Sequence, residues 1–495
     1  MVAGTWHPLN TFNTAARLPL DLLVMISSIL CTGDLFTASQ VCRHWRTTLV
    51  SSPLLWRKID RQDLTRTIVS LDRHQSVPLQ LDLYDGLSTE ALDVALDHGS
   101  KVSSIFVHLP LDQLRELHRL PVTPSVEDLV LFFDEHDDIW SKERVTIDLR
   151  DEFVSLRKLS VSGVFASLNQ TTAPNLIHLS LERLSSASRV SAQTVLDVLR
   201  GCPQLETVLI NILSGRQDEI RWDTPVALPK LRSIELGHGE VIDGLVVPLH
   251  FPPTVAVGFR GIFTSFKSWP YYSIHHVLST IDIESVTLAH IQHEVGPGYK
   301  NRDTCLVRFE GPTGSLEVVF VERGNHNPFG ADWPMLSLSP QLNNVKTLYI
   351  MDCRISDDTL AIISAAMPNL VSINFTGHNI YSSSLTPKRG SPPLFPRLKH
   401  IAGLLPERKL VKMARVRGEH GMPLDALDVH CDPNCRDMRG YHAELRKFVG
   451  DVKVWQCADL PERWTSNALL DTWEAAGYPG PVSAHSMLEN WNQLD

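Results

Sequence analysis

Apolar residues recur along this chain in two different periods. Near the N-terminus Leu18, Leu22, Ile26, Ile29 and Leu30 follow at steps of four, four, three and one, the stripe of a helix. Pro19 suits the first turn of that helix, Gly33 predicts its end, and Asp34 can cap a second helix carrying Leu35, Ala38 and Val41. A third short helix is predicted from Arg43 to Leu49, and Pro53 stops it. Three helices in so short a stretch close a core with little to spare. The run Leu22-Leu23-Val24-Met25-Ile26 makes the first helix apolar on more than one face, which calls for a second partner.

Farther along, a Leu-x-x-Leu-x-Leu pattern returns, with Ile, Val or Phe substituting. It is found at Leu156/Leu159/Val161, Leu176/Leu179/Leu181, Leu205/Val208/Ile210 and Leu231/Ile234/Leu236. It comes back at Val345/Leu348/Ile350, Leu370/Ile373/Phe375 and Leu424/Leu427/Val429. Successive starts lie 20, 29 and 26 residues apart in the first group, and Val345 and Leu370 lie 25 apart in the second, the spacing of a repeat array. A proline stands two residues before many of the leading leucines: Pro174, Pro203, Pro229, Pro368 and Pro396. Proline ends a helix and biases its predecessor to extended geometry, so each marks an exit from helix to strand. Helices are predicted upstream at Ser191–Arg200 and, capped by Ser356, around Leu360, Ile362 and Ile363. The expected architecture is an α/β solenoid with a parallel sheet.

The pattern is uneven. Residues 240–340 show it poorly, and within them Leu306–Glu310 and Ser315–Val321 flank Gly311-Pro312-Thr313-Gly314 as a hairpin would. This segment is either a lapsed repeat or an inserted recognition surface. Between 60 and 150, Leu79/Leu81/Leu83 and Val102/Ile105/Val107 read as strands, Ser88–Leu96 and Leu111–Leu117 as helices. After 440 come a helix, Tyr441–Phe448, a strand, Val452–Trp455, and a polar stretch with Trp464, Trp473 and Trp491. The expected organisation is a flexible tail at 1–14, a helical module at 15–60, the repeat domain at 61–440, and a C-terminal cap and tail at 441–495.

Composition narrows the function. In 495 residues, 43% are hydrophobic and 21% charged, as in an ordinary globular chain, and the net charge of −10 disfavours nucleic acid as a partner. No apolar run of about 18 residues suits a membrane span. The stretch from Leu18 to Leu30 carries Asp21 and starts too late for a signal peptide. Eight scattered cysteines suggest reduced thiols, hence cytoplasm, nucleus or both, where the sequons at Asn169 and Asn374 carry no meaning.

The N-terminal module carries a resemblance. Leu18-Pro19-Leu20-Asp21-Leu22-Leu23, then Ile26 and Ile29-Leu30, Asp34-Leu35, Val41-Cys42-Arg43-His44-Trp45-Arg46 and Pro53-Leu54-Leu55-Trp56 resemble the F-box motif, landmark by landmark and in order. The repeat region resembles the leucine-rich-repeat type of F-box protein. It departs from the regular repeat, which places Asn or Cys three residues after the last Leu. The chain has Val164, Leu184, Leu213, Gly239, Cys353, His378 and Asp432 there, and only Cys353 fits. Curvature is therefore expected to be uneven.

The resemblance implies docking to the Skp-family adaptor of a cullin–RING ubiquitin ligase through Leu18, Pro19, Leu22, Leu23, Ile26, Leu30, Leu35 and Val41. Trp45, Leu55 and Trp56 would pack within the module. It further implies a non-catalytic substrate-recognition adaptor with no cofactor, joined indirectly to a cullin scaffold and holding an unknown protein target. Side chains between the last two apolar residues of a unit face away from the core, so Ser160, Ser180, Glu235, Tyr349, Asn374 and Asp428 are candidate target contacts.

Candidate chemistry elsewhere is sparse. Cys431 and Cys435, beside His430 and near His442, lack the spacing of a zinc site. Asp134 to Asp138 form an acidic cluster best read as a solvated loop. Arg408, Lys409, Lys412, Arg415 and Arg417 alternate with Leu410, Val411, Met413 and Val416, giving either a repeat helix with a basic outer face or a site for an acidic or phosphorylated motif. Two rivals stay open. One is an F-box-containing interaction protein outside any ligase. The other is an enzyme or small-ligand receptor with a pocket in 240–340.

Overall fold

The structure is a computed structural model. It describes residues 18–60, 64–74, 77–84, 94, 97, 102–110, 125–134, 146–149, 154–163, 165–168, 174–184, 192–212, 225–237, 244–261, 271–292, 303–322, 338–351, 353, 355–376, 384–387, 392–404, 407–431 and 438–456. The chain divides into two compact units, Met1–Val255 and Ala256–Asp495.

The first unit opens with three helices, α1 (Leu20–Ser27), α2 (Thr32–Ala38) and α3 (Arg43–Val50), and a 3-10 turn at Pro53–Trp56. Pro19 is the N-cap of α1, which ends before Ser28. Gly33 therefore does not end the first helix: it lies in the first turn of α2, whose N-cap is Cys31 rather than Asp34. Leu23, Leu35, Ala38, Leu49, Leu55 and Trp56 make the core, with Leu18, Val24, Leu30, Phe36 and Trp45 packed around it. The Trp56 indole is fully buried and donates to the Leu49 carbonyl at 2.7 Å, so its burial leaves no polar group unmet.

A helix absent from the sequence-based expectation, α4 (Leu64–His74), packs against the 3-10 turn. The strands of this unit are β1 (Lys58–Asp60), β2 (Leu79–Tyr84), β3 (Val102–Pro110), β4 (Asp128–Asp134), β5 (Thr146–Leu149), β6 (Lys158–Ser162), β7 (Phe165–Leu168), β8 (His178–Leu184), β9 (Thr207–Ile212), β10 (Val226–Ala227), β11 (Ser233–Gly237) and β12 (Leu249–His250). Pairing runs β1-β2-β3-β4-β6-β8-β9-β11, parallel throughout. Two small parallel pairs, β5–β7 and β10–β12, stand beside it. The core face is a row of buried residues in register, among them Leu81, Ile105, Leu129, Leu159, Leu179, Val208 and Ile234. One helix of this unit, α5 (Ala192–Arg200), buries Val195, Leu196, Val198 and Leu199.

The second unit holds β13 (Ala256–Gly261), α6 (Tyr271–Leu278), β14 (Ser285–Gln292), β15 (Asp303–Glu310), β16 (Ser315–Glu322), α7 (Ser339–Leu342), β17 (Thr347–Met351), α8 (Asp357–Ala366), β18 (Ser372–Thr376), β19 (His400–Leu404), α9 (Glu407–Glu419), β20 (Leu424–Cys431), α10 (Met438–Leu445) and β21 (Val449–Gln456). Its strand order is β13-β16-β15-β14-β17-β18-β19-β20-β21. The expected hairpin is β15–β16, closed where the Gly311 N–H donates to the Gly314 carbonyl at 2.9 Å. It inserts into the ladder between β13 and β14, and β15 is the strand that pairs antiparallel on both sides. The arrangement is helical module first, then mostly parallel, repeat-like α/β.

Local physics explains the prolines. The N–H of Leu205, Leu231, Leu370 and Leu398 each donates to the carbonyl three residues back, closing a β-turn at strand entry. Pro203, Pro229, Pro368 and Pro396 occupy the second position of these turns, where a fixed φ is pre-set and no N–H is needed. In two units an asparagine adds a link to the preceding one: Asn175 Nδ2 donates to the Val154 carbonyl at 3.1 Å and Asn369 Nδ2 to the Asn343 carbonyl at 2.8 Å.

The expected helices at Ser88–Leu96 and Leu111–Leu117 fall almost wholly outside the described residues. So do the repeat positions Val164, Leu213, Gly239, His378 and Asp432, the sequon at Asn169, and Trp464, Trp473 and Trp491. Cys353, the one fitting ladder position, is buried and donates its thiol to the Met351 carbonyl at 3.1 Å.

Candidate functional site

Two surfaces collect the sequence-predicted site residues. The first is on the helical module. Leu22 is 43% exposed, Ile26 41% and Val41 60%, and Pro19 is also exposed. Leu20, Met25, Ile29 and Leu54, which sequence reasoning left out of the docking set, are exposed with them. Leu18 and Leu30 are half-buried at the rim of the core. Leu23 and Leu35 face inward and are buried in the module's own core, so neither offers surface to a partner. The reason is helical spacing: Leu23 and Ser27, four residues apart, form the inner face of α1, which turns Leu22 and Ile26 outward.

Trp45, Leu55 and Trp56 lie in or against that core. Phe36 meets Trp56 edge to face, with centroids 5.0 Å apart. Among the described residues, most of the large exposed apolar side chains belong to this module, and such concentrations mark interaction surfaces. The module is also tied to the ladder. The Thr32 hydroxyl of α2 donates to the Lys58 carbonyl of β1 at 3.1 Å, covering an edge strand.

The second surface is the face of each ladder opposite the leucine core. Ser160, Ser180 and Glu235 fall on one row of the first unit, with Phe106, Val130 and Leu209 in the same row. Tyr349, Asn374 and Asp428 fall on one row of the second, linked through Ala402. That row continues through Thr287, Arg308 and Glu317 on the inserted strands, to Gly258 at one end and Lys453 at the other. All six predicted contacts are partly exposed, Tyr349 most of all at 38%. Their inserted neighbours could not be placed by spacing, because their strands are neighbours in space but not in sequence.

Glu317 sits among Arg260, Arg308 and Glu310, and Arg308 pairs with Glu310 at 2.8 Å. Burial raises the Glu317 carboxyl above its usual range, more than Arg260 and Arg308 lower it, and Glu310 adds to the rise.

The basic helix α9 divides differently from the expected outer face. Lys409, Lys412 and Arg415 are exposed, but Arg417 is completely buried and donates to the carbonyls of Leu394 at 3.1 Å and Phe395 at 2.9 Å. Burial pushes its guanidinium down to about 10, still far above neutrality. Its place was legible: Arg417 lies four residues after Met413 and seven after Leu410, both on the buried face. His442, considered above as a zinc neighbour, hydrogen-bonds the Val452 carbonyl at 3.1 Å, and Cys435 lies outside the described residues. Among the described residues, no three of His, Cys, Asp and Glu gather as metal ligands, and no helix is long and apolar enough to cross a membrane.

Comparison with known proteins addresses the first surface directly. Residues 15–62 match the family model described as F-box-like. The Arabidopsis thaliana protein described as F-box/LRR-repeat protein 22 is 24% identical to this chain over 214 residues. That match covers 39% of this chain and 66% of the relative, just under two thirds of its length. The helical module with the exposed apolar strip is therefore an F-box-like domain, and the chain is an F-box protein with leucine-rich-repeat-like strands behind it.

Proposed function

We propose that this chain is the substrate-recognition adaptor of an SCF-type cullin–RING ubiquitin ligase. The F-box-like domain docks a Skp-family adaptor, a cullin is engaged through that adaptor, and the repeat strands hold a target protein. The chain itself does no chemistry in this scheme. It brings a target lysine close to a ubiquitin thioester, converting an encounter into an effectively intramolecular step.

The observation that carries the proposal is the strip of Leu20, Leu22, Met25, Ile26, Ile29 and Val41, exposed on a domain whose core is closed without them. Burying such side chains against a partner is worth roughly 1.5–3 kcal/mol each before the losses of association. Leu23 and Leu35 serve the docking face indirectly, by fixing the helices that present it. Cytoplasm and nucleus are the compartments in which such a complex would work.

The test is co-purification of the Skp-family adaptor and cullin with the intact chain and with the Leu22→Asp/Ile26→Asp double variant. Both side chains are exposed, so the variant is expected to fold. Capture of both partners by the intact chain and loss of both with the variant supports the proposal. Adaptor without cullin favours a role outside the ligase, and neither partner on a folded chain removes the functional claim.

A further inference from the structure

Residues 15–62 carry the F-box-like match, yet the aromatic corner of the helical module is completed from beyond it. Phe36 of α2 and Trp56 of the 3-10 turn meet edge to face, and α4, which starts at Leu64, brings two cations to the pair. The Arg73 guanidinium lies 4.3 Å from the centre of the Trp56 ring and 5.4 Å from that of Phe36, and the Arg66 guanidinium lies 6.0 Å from that of Phe36. The two arginines are two helical turns apart and share one face of α4. Thr67, Ser70, Leu71 and His74 form a second, buried stripe. Nη1 of Arg73 is buried without a hydrogen-bond partner, so the ring faces offset its loss of water.

By topology α4 belongs to the ladder, as the crossover between the parallel strands β1 and β2. By contact it also belongs to the module. Phe36 of α2 meets the α4 cations, while Leu35 and Ala38 of the same helix lie in one core with Leu23 of α1. Leu23 seats α1, the helix that presents Leu22 and Ile26. Val41 follows α2 directly, its N–H donating to the Ala38 carbonyl at 3.2 Å. A tilt of α2 therefore moves Val41 and the seat of α1 together.

We propose that α4 is the fourth helix of the adaptor-docking module and that Arg73 is a positioning residue in it. Arg73 holds Phe36 and Trp56, and through them α2, in the orientation that presents Leu22, Ile26 and Val41 to the Skp-family adaptor. It acts through the aromatic pair and does not touch the adaptor. The proposal rests on the adaptor role proposed above and carries it past residue 62, into the first helix of the repeat ladder. Because the contact is a cation on ring faces, charge and not only bulk is the property that matters at this position.

The experiment compares the full-length natural chain with Arg73→Met, which keeps an apolar stem and loses the charge, and Arg73→Lys, which keeps the charge. Titration calorimetry with purified Skp-family adaptor is expected to show Arg73→Met binding about fivefold more weakly, the worth of one partly desolvated cation–aromatic contact, and Arg73→Lys restoring most of the loss. In the free chains, amide hydrogen exchange of α2 is expected to be about fivefold faster in Arg73→Met and near the natural rate in Arg73→Lys. Far-UV circular dichroism checks that all three fold. Natural adaptor affinity in Arg73→Met, or an Arg73→Lys variant as impaired as Arg73→Met, overturns the proposal. If the natural chain binds no adaptor, the ligase role fails by itself, and α2 exchange decides the place of α4: natural exchange in Arg73→Met overturns it, and faster exchange rescued by lysine supports it.

Discussion

The Arg73 guanidinium of α4 lies 4.3 Å from the centre of the Trp56 ring and 5.4 Å from that of Phe36. Burial lowers its pKa, and Nη1 finds no hydrogen-bond acceptor, so the aromatic faces are what the cation meets. This contact locks the F-box-like domain to the helix that leads into β2. Arg73→Ala is expected to weaken that junction by about 1 kcal/mol, through the lost cation–aromatic contact and the lost packing of the stem. Trp56→Ala should cost about 3–5 kcal/mol, because it empties the centre of the module core. Amide hydrogen exchange across α1–α3 and α4 checks both. Unchanged exchange in Arg73→Ala would mean that α4 does not hold the module.

Gly163 and Gly418 should respond oppositely to alanine. Gly163 has φ +89°, and a Cβ there would lie 2.7 Å from the Phe133 carbonyl oxygen on the neighbouring strand. Both the backbone region and the collision penalise alanine, by about 1–3 kcal/mol. Gly418 lies near the end of α9 with nothing within 4 Å of a new Cβ and no positive φ. There alanine should be neutral or stabilise by up to about 1 kcal/mol. Thermal unfolding of the two variants reads the two signs, and a destabilised Gly418→Ala would contradict this account.

What the chain disclosed beforehand follows from how local each signal is. The Leu-x-x-Leu-x-Leu units became strands because their alternation is a property of neighbours in sequence, and the proline two residues ahead sits in the entry turn that its fixed φ suits. The hairpin was legible from Gly311 to Gly314 for the same reason. Its seat between β13 and β14 was not, since that pairing joins Gly258 to Glu317 across an intervening helix and two strands and no short pattern encodes it. On α1 the stripe was read through Leu22 and Ile26, yet the buried positions are Leu23 and Ser27. With apolar residues on every side of the helix, only the partners it packs against decide which face turns inward. The row on the face opposite the core was within reach of spacing alone: Phe106 and Val130 lie in Val102/Ile105/Val107 and Val126/Leu129/Leu131, which have the same steps of three and two as the units that hold Ser160, Ser180 and Glu235.

Arg417 holds the turn at Leu394 and Phe395, where Phe395 takes a φ of +51° and its N–H donates to the Ser364 hydroxyl at 2.7 Å. The planar fork reaches two carbonyls at once, which a lysine ammonium on a flexible stem does not reproduce. Arg417→Lys is therefore expected to lose about 1–3 kcal/mol, and Arg417→Ala more, about 2–5 kcal/mol, because it adds a cavity to the loss of the donor to the Leu394 carbonyl, while the Phe395 carbonyl keeps the Leu398 N–H. Denaturant midpoints of the three proteins give the ranking. Equal stability of the Lys variant and the natural chain would show that the fork geometry is irrelevant.

Glu317 gives the one pH-dependent expectation. Its carboxyl is raised above the ordinary 4.5, first by burial and then by Glu310, against the opposing pull of Arg260 and Arg308. A raised pKa means that the folded state holds the proton at pH values where the unfolded chain has lost it. The group's stabilising contribution is thus complete below 4.5 and is lost as pH rises through the raised folded value. Glu317→Gln has no such titration. The difference in unfolding free energy between the natural chain and Glu317→Gln should therefore fall as pH climbs from about 4 toward 7, with the glutamine variant gaining relative stability. Denaturant titrations of both proteins across that range measure the difference. A difference that grows with pH would mean that Arg260 and Arg308 outweigh burial, and that the carboxylate is held charged on the open face as a partner to them.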